Sequence, residues 1–474
     1  MVQDYPLPDG WKMTTLGDVT LPVAKLFPQQ KPNDSFIYLD ISSIDNKNHI
    51  IIEPKTYLGK DAPSRARQLV KKDDILFSTV RTYLENVALV PDQYDGQIAS
   101  TGFSILRARE YVLPKFLFYH CLTNNFLEPL NELQRGTSYP AVRDNDVRIQ
   151  PIPLAPLPEQ ERIVAKIEEL FTQLDAGVAA LRRVQAELKR YKASVLKAAC
   201  EGRLVPQDPS DEPAEELLRR MGKTPLVGDG LPSLPEGWCW TKIEDITETI
   251  GGVTKGRDLS GKETIRLPYL RVANVQRGCL VLGEMKEIEA LVSEVEKYRL
   301  KDGDLVLTEG GDWDKLGRSA IWGNEIPNCI HQNHIFRARV KSLDISPEWL
   351  MYYTNSELGQ SYFKEAAKQT TNLASINLTQ LRACPIPLLP LAEQKRIVAE
   401  VERRLSVATE VEAAVEATLA RSARLRQAVL KRAFEGKLVD RDLYNETTST
   451  FFERIQIINK KKPEQLPFHF SGEF

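Results

Sequence analysis

The 474 residues contain no uninterrupted apolar run near the roughly 18 needed to span a bilayer, and the opening MVQDYPLPDGWK has neither the basic end nor the apolar stretch of a secretory signal. The expectation is a cytoplasmic globular protein, long enough for two or three ordinary domains. Cysteine is sparse: Cys121, Cys200, Cys239, Cys279, Cys329 and Cys384 stand far apart and form no CxxC pair, which argues against a disulfide framework and a zinc ribbon. Five histidines, none beside a plausible nucleophile, leave hydrolase chemistry without support. A glycine-rich GxGxxG turn and an Asn- or Asp-Pro-Pro-aromatic motif are also missing, which removes a dinucleotide site and a base methyltransferase. Nor is there an excess of basic charge: 63 Lys and Arg stand against 65 Asp and Glu, a formal net charge of −2. Any nucleic-acid surface must be built by local clustering.

Several fragments imitate catalytic motifs and fail on chemistry. Gly256, Gly261 and Lys262 have the spacing of a phosphate-binding GxxxxGK loop, but Glu263 replaces the hydroxyl residue that magnesium requires and would repel phosphate. Cys329, His331 and His334 offer three metal ligands with no second cluster to supply a fourth. Glu53 with Lys55, and Glu284 with Lys286, give half of a nuclease-like carboxylate site without its upstream Pro-Asp.

What the sequence does contain is the same layout twice. LPDGWKMTTLGDVT from Leu7 recurs as LPEGWCWTKIEDIT from Leu234, and YLDISSID at Tyr38 recurs as YLRVANVQ at Tyr269. VKKDDILFS at Val70 matches LKDGDLVLT at Leu300, each a turn feeding a strand. FSILRAR at Phe103 matches HIFRAR at His334, and LPKFLFYH at Leu113 matches SPEWLMYY at Ser346. Pro151–Asp208 aligns without gaps on Pro385–Asp442, with 26 of 58 positions identical, where chance gives about one in seventeen.

Each of these closing segments reads as one long helix. Pro158 suits the first turn, Glu159 or Glu393 complements the dipole, and Gly202 or Gly436 supplies the stop. In the first copy Ile163, Ile167, Leu170, Leu174, Gly177, Leu181, Val184, Leu188, Tyr191 and Val195 recur with four-three spacing, a coiled-coil seam. The second copy keeps Ile397, Val401, Ala408, Val411, Val415, Leu425 and Val429 but puts Arg404, Thr418 and Ser422 on the same seam. The two helices either pair with each other, antiparallel, or pack separately on their own domains. Between the copies, Val205–Pro235 is rich in proline, glycine and acid, with a short helical run at Ala214–Met221, and reads as a linker or surface connection.

The pairing of PIPLAPLPEQERIV with PIPLLPLAEQKRIV, the helix endings VLKAACEGRLV and VLKRAFEGKLV, and the two LPxGW openings resemble the specificity subunits of Type I restriction-modification systems. That resemblance implies an α+β fold with two similar globular target-recognition domains, joined by two long antiparallel coiled-coil helices in a pseudo-twofold repeat. Its boundaries would be recognition domains at 1–154 and 234–388, spacer helices at 155–204 and 389–438, a linker at 205–233 and a tail at 439–474. It implies a non-catalytic DNA-binding subunit of a defence against foreign DNA. The chain would recognise a bipartite asymmetric target and dock two adenine methyltransferase subunits and the nuclease and translocase subunits. Cofactors would lie on the partners: S-adenosylmethionine, ATP and magnesium, with none here. A coiled-coil scaffold with no nucleic-acid role is the competing reading, supported by the net charge.

Base reading needs side chains that reach base edges, with lysine, serine and threonine on phosphates. In the first copy, loops beside strands offer Arg65, Arg67, Lys71 and Lys72, then Arg81 and Tyr83, then Arg135, Thr137, Ser138 and Tyr139. In the second they offer Lys255, Arg257 and Lys262, then Arg271 and Asn274, then Trp313, Lys315 and Arg318, then Lys368, Gln369, Thr371 and Asn372. By resemblance GGVTKGRD and LRVAN lie near the DNA.

Overall fold

Each copy of the repeat begins by closing on itself. Lys12–Thr15 pairs antiparallel with Pro151–Leu154, and Cys239–Lys242 pairs antiparallel with Pro385–Leu388. Prolines at alternate positions of the second strand strip one edge of its N–H donors, so each ladder stops at two strands. The computed structural model describes residues 7–228, 230–369 and 374–440. It divides into a first unit, with residues up to Leu181 and from Ala417 onward, and a second, Arg182–Glu416.

The first unit holds an antiparallel sheet in the order Thr20–Leu21, Phe103–Ala108, Ile75–Ser78, Val87–Leu89, and the second repeats it as Thr247–Gly251, Ile335–Val340, Asp304–Thr308, Ser319–Trp322. The apolar runs read from the sequence explain the middle strands. Ile75, Leu76 and Phe77, like Leu305, Val306 and Leu307, are buried on both faces. A further sheet in each unit is built round one parallel pair, Ser35–Leu39 with Ile98–Ser100 and Thr264–Leu270 with Ile330–His331. An internal ion pair also recurs. Asp74 accepts from Arg107 Nε and Nη2 at 2.8 and 2.7 Å and from Lys71 N at 2.8 Å; Asp304 accepts from Arg339 at 2.6 and 2.7 Å and from Lys301 N at 2.7 Å. Both carboxylates are fully buried, so the turn and two neighbouring strands are tied through charge that water does not screen.

The long helices run Leu157–Cys200 and Leu391–Phe434, 44 residues each and about 66 Å long at about 1.5 Å per residue. The first starts one residue before the expected Pro158. The glutamine of PLPEQ and PLAEQ fixes each start. Gln160 Oε1 accepts Leu113 N at 2.9 Å while Nε2 donates to Tyr111 O and Ala155 O; Gln394 does the same with Ser346 N, Asp344 O and Leu389 O. Both side chains are fully buried. Glu393 also accepts from the Trp238 indole at 2.8 Å, whereas Trp11 Nε1 and Glu159 Oε1, at the same places in the first copy, have no hydrogen-bond partner among the described residues. Gly202 and Gly436 end the helices with φ near +65° and +68°, pressed against Pro235 and Pro8.

Each helix contributes to both units. Within the first, Arg426 stacks 4.7 Å over Phe171 and pairs with Asp175. Within the second, Lys192 meets Glu412 at 2.5 Å, and Val195 and Ala199 share a core with Val401 and Ile397, so the segments run antiparallel. The seam departs from strict four-three spacing. Ile163, Ile167, Val195, Ile397, Val401 and Val415 are buried, and Leu170, Leu174, Leu181, Val184, Leu188 and Val429 are half-buried. Val411 and Leu425 instead stand exposed, as do Gly177 and Tyr191. In their place Val178 and Lys192 on the first helix, and Glu412 and Arg426 on the second, are half-buried. A straight helix drifts by about 20° per heptad against a 3.5-residue repeat, so a strict four-three count does not follow the covered face along its whole length.

The segment expected as a linker carries the helix Ala214–Arg220, whose Ala214, Leu217 and Leu218 are buried in the core of the second unit.

Gln394→Leu strands one N–H and two carbonyls in a buried site. It should lower the unfolding free energy by about 2–4 kcal/mol, read by urea titration of the tryptophan fluorescence that Trp238 and Trp349 report from that core. Gly436→Ala, which sets a methyl about 2.3 Å from Pro8 Cγ in a left-handed backbone, should cost at least about 1 kcal/mol in the same titration.

Candidate nucleic-acid interface

In the first unit, the chain leaving strand Ile75–Ser78 is caught from two sides. Thr79 N donates to Gly102 O and Val142 N donates to Thr79 O, both at 2.9 Å. Arg81 then adopts a left-handed backbone, φ 50°, and Glu85 another, φ 53°, bracketing the short 3-10 turn Thr82–Leu84. Such conformations cost about 1–3 kcal/mol each for residues with a Cβ and persist only where surroundings impose them. Here Arg81 N donates to Pro140 O at 2.7 Å, and Thr82 Oγ1 donates to Asn131 and accepts from Gln134, both at 2.6 Å. Held from below, the turn presents Tyr83 to solvent, 52% exposed.

A hairpin lies against that turn. Arg135 and Ala141 exchange backbone hydrogen bonds at 3.0 Å, Val80 bridges to Ala141, and Gly136 takes φ 101°. Arg135, Thr137, Ser138 and Tyr139 line its exposed tip, Tyr139 at 72%. The Arg81 guanidinium donates to Ser138 O at 3.1 Å and lies 5.0 Å over the Tyr139 ring, a cation–π contact that joins turn and hairpin. The structure thus gathers Arg81, Tyr83, Arg135, Thr137, Ser138 and Tyr139 into one projecting edge. Arg65 borders it, since its carbonyl accepts from Thr101 N beside Gly102.

The second unit builds the same edge from different residues. Ile376 N donates to Glu309 O and Glu309 N to His334 O, both at 3.0 Å, and Gly310–Gly311 pairs with Ala374–Ser375, which pairs with Lys368–Gln369. Gly310 is required there, because a Cβ would stand 2.1 Å from Ala374 O. The 3-10 turn Trp313–Lys315 puts the Trp313 indole, 43% exposed, where the first unit has Tyr83. Lys315 pairs with Asp312 at 2.5 Å, and Lys368 is exposed. Arg318 is locked: Nη1 donates to Gln276 at 2.7 Å, Nε to Asp314 O at 3.0 Å, and the guanidinium pairs with the Asp314 carboxylate. It shapes the turn. Thr371 and Asn372 lie outside the described residues.

The other candidate side chains have different surroundings. Lys71 and Lys72 sit at the far end of strand Ile75–Ser78 from Arg81, where Lys72 meets Asp92 at 3.2 Å and Asp95 accepts its backbone N–H. Arg67 lies 4.9 Å over Phe27 and donates to Gln29 at 2.7 Å. Arg257 is neutralised by Glu294, at 3.2 and 2.8 Å. Asn274 is 3% exposed and bonds Arg271 N and Val281 O, so it caps a turn and has no amide left for a base; Arg271 itself donates to Glu284 O at 2.7 Å. Lys255 and Lys262 are exposed on the loop after Val253, which bonds His331 O at 2.8 Å.

Sequence reasoning missed the His334–Glu309 pair, 2.5 Å apart at the base of the second edge. No spacing signal joins residues 25 positions apart. The metal reading of NCIHQNH has no support: Cys329 and His331 are buried, His331 bonds Ile335 O at 2.8 Å with its pKa pushed down to about 4 by burial, and no group of three potential ligands occurs among the described residues.

A family model described as the Type I restriction modification DNA specificity domain matches residues 8–188 and again 235–420. The chain is similar to the Type I restriction enzyme EcoKI specificity subunit of Escherichia coli K12, 22% identical over 446 residues, covering 91% of this chain and 90% of that one. Among solved structures it is similar to the HsdS subunit from Thermoanaerobacter tengcongensis, 30% identical with a TM-score of 0.57, covering 92% of this chain and 99% of that one. It is also similar to a chain from a structure addressing complex assembly and conformational transition of the type I R-M system, 31% identical with a TM-score of 0.68, covering 92% and 100%. With both halves matched by the same model, the chain belongs to the family of Type I restriction-modification DNA specificity domains, of which it carries two copies.

Proposed function

We propose that the chain recognises a bipartite, asymmetric DNA target, one half-site through each projecting edge. The observation that carries this reading is the same turn-and-hairpin pair built twice on equivalent strands with unlike tips: Arg81, Tyr83, Arg135 and Tyr139 in one, Trp313, Lys315 and Lys368 in the other. Equal scaffolds with unequal side chains read unequal sequences, because base identity is carried by donor and acceptor patterns at groove edges. The recognition domains of this reading are 1–154 and 234–388, the spacer helices lie within 155–204 and 389–438, 205–233 is the linker and 439–474 the tail.

As a specificity subunit the chain is the non-catalytic component of its system, and the chemistry belongs to partners. In this reading it docks two adenine methyltransferase subunits, which hold S-adenosylmethionine, and nuclease and translocase subunits that use ATP and magnesium, in the cytoplasm. The length of the spacer helices fixes the gap between half-sites.

Co-expressed with its modification subunits, the chain should direct adenine methylation to one interrupted, asymmetric sequence, read by methylome sequencing. A palindromic or uninterrupted motif, or DNA retention insensitive to salt, would favour the scaffold reading instead. Arg135→Ala should relax one half-site and Lys368→Ala should weaken or relax only the other, each by about 1–3 kcal/mol if the side chain reaches a base edge; an effect on both half-sites at once would contradict one reader per half-site. Inserting one heptad in both helices adds about 10 Å, so the gap should grow by about three base pairs at roughly 3.4 Å each, with both half-sites unchanged.

A further inference from the structure

The two copies part company where the loop after strand Ile335–Val340 meets the start of the second long helix. In the first copy the equivalent spot carries an ion pair and a tyrosine hydrogen bond. Lys115 Nζ lies 2.5 Å from Glu168 Oε1, and the Tyr111 hydroxyl donates to Asp18 O at 3.0 Å. In the second copy the repeat puts Glu348 at the place of Lys115 and Glu402 at the place of Glu168, two carboxylates where a cation and an anion had met. Glu348 and Glu402 line one groove, and burial, with both acids adding to the effect, pushes the hydroxyl of Tyr352 up to about 12.

The backbone differs there as well. Tyr111 follows Arg107 by four positions, whereas Asp344, whose carbonyl plays the same part toward the helix glutamine, follows Arg339 by five. The extra residue is Leu343, and it is 97% exposed. A groove of about 540 Å³ lies there over Ile345, Pro347, Leu391 and Val398, and Leu343 lines it too. Of the two cations on its lining, Arg339 is committed to Asp304, which leaves Lys395 against Asp302, Glu348 and Glu402. An apolar floor beneath surplus negative charge is complementary to an apolar segment that carries a positive side chain.

We propose that this groove of the second unit receives a segment of a modification subunit in which a lysine or arginine, flanked by apolar residues, enters between Glu348 and Glu402. The proposal rests on the reading of the chain as a specificity subunit. The incoming cation does there what Lys115 does within the first copy, and its neighbours cover Leu343 and Val398.

The test places a photo-crosslinking residue in the full chain, Leu343→p-benzoylphenylalanine, and irradiates the complex assembled with its modification subunits. The expected product joins the chain to a modification-subunit peptide that contains a lysine or arginine among apolar residues. Glu402→Lys, which recreates an internal ion pair with Glu348, should cut the yield at least fivefold, and Tyr111→p-benzoylphenylalanine in the first copy should give no such product. A product joined to a second copy of this chain or to its own residues 441–474, a yield unmoved by Glu402→Lys, or no product from a complex that still co-purifies would overturn the proposal. If the modification subunits fail to co-purify with the unsubstituted chain, the specificity-subunit reading itself falls and takes the proposal with it.

Discussion

A buried glutamine side chain with both ends committed holds each long helix to its own sheet domain. Gln160 and Gln394 each accept one backbone N–H and donate to two backbone carbonyls in fully buried sites. Left unpaired, each of those backbone groups would cost about 1–3 kcal/mol, so the helix start has one favoured orientation against the loop before it. The direction of the helix, and hence everything built along it, follows from that anchor. Glutamate would supply no donor to the two carbonyls, and leucine would satisfy none of the three groups, which explains why this polar residue sits in an otherwise apolar run.

The repeat separates what must be rigid from what varies. The internal pairs Asp74–Arg107 and Asp304–Arg339 fasten the turn before the central strand, and that strand delivers the projecting edge at its other end. The tips obey no such constraint. One edge is stiffened by an arginine stacked on a tyrosine, the other by two glycines against a neighbouring strand and a pinned Arg318. A common chassis with independent tips lets one tip change in sequence without disturbing the other.

Much of this was legible in the sequence because the signals are local. Proline at the helix start, glycine past its end and the apolar runs of ILFS and DLVLT located the elements to within a residue or two, and the internal repeat exposed the twofold plan. The seam was less legible, because a strict four-three count ignores the drift of a 3.6-residue helix, and Val411 and Leu425 fell on the wrong side of it. The surroundings of the individual candidate side chains were not legible. Arg257 is neutralised by Glu294, Asn274 caps a turn through Val281, and Arg81 meets Ser138 from 57 positions away. No periodicity reports such partners, and they decide which cations remain available.

The Lys192–Glu412 contact within the helix pair has a mechanical consequence. Sliding one helix by a heptad would set the Lys192 ammonium opposite Leu405 or Leu419, a half-covered charge facing hydrocarbon, and would leave Glu412 equally stranded. Apolar contacts alone tolerate such slippage, whereas a paired charge in the interface penalises every setting but one. The helix pair therefore carries a latch that resists slippage of its register.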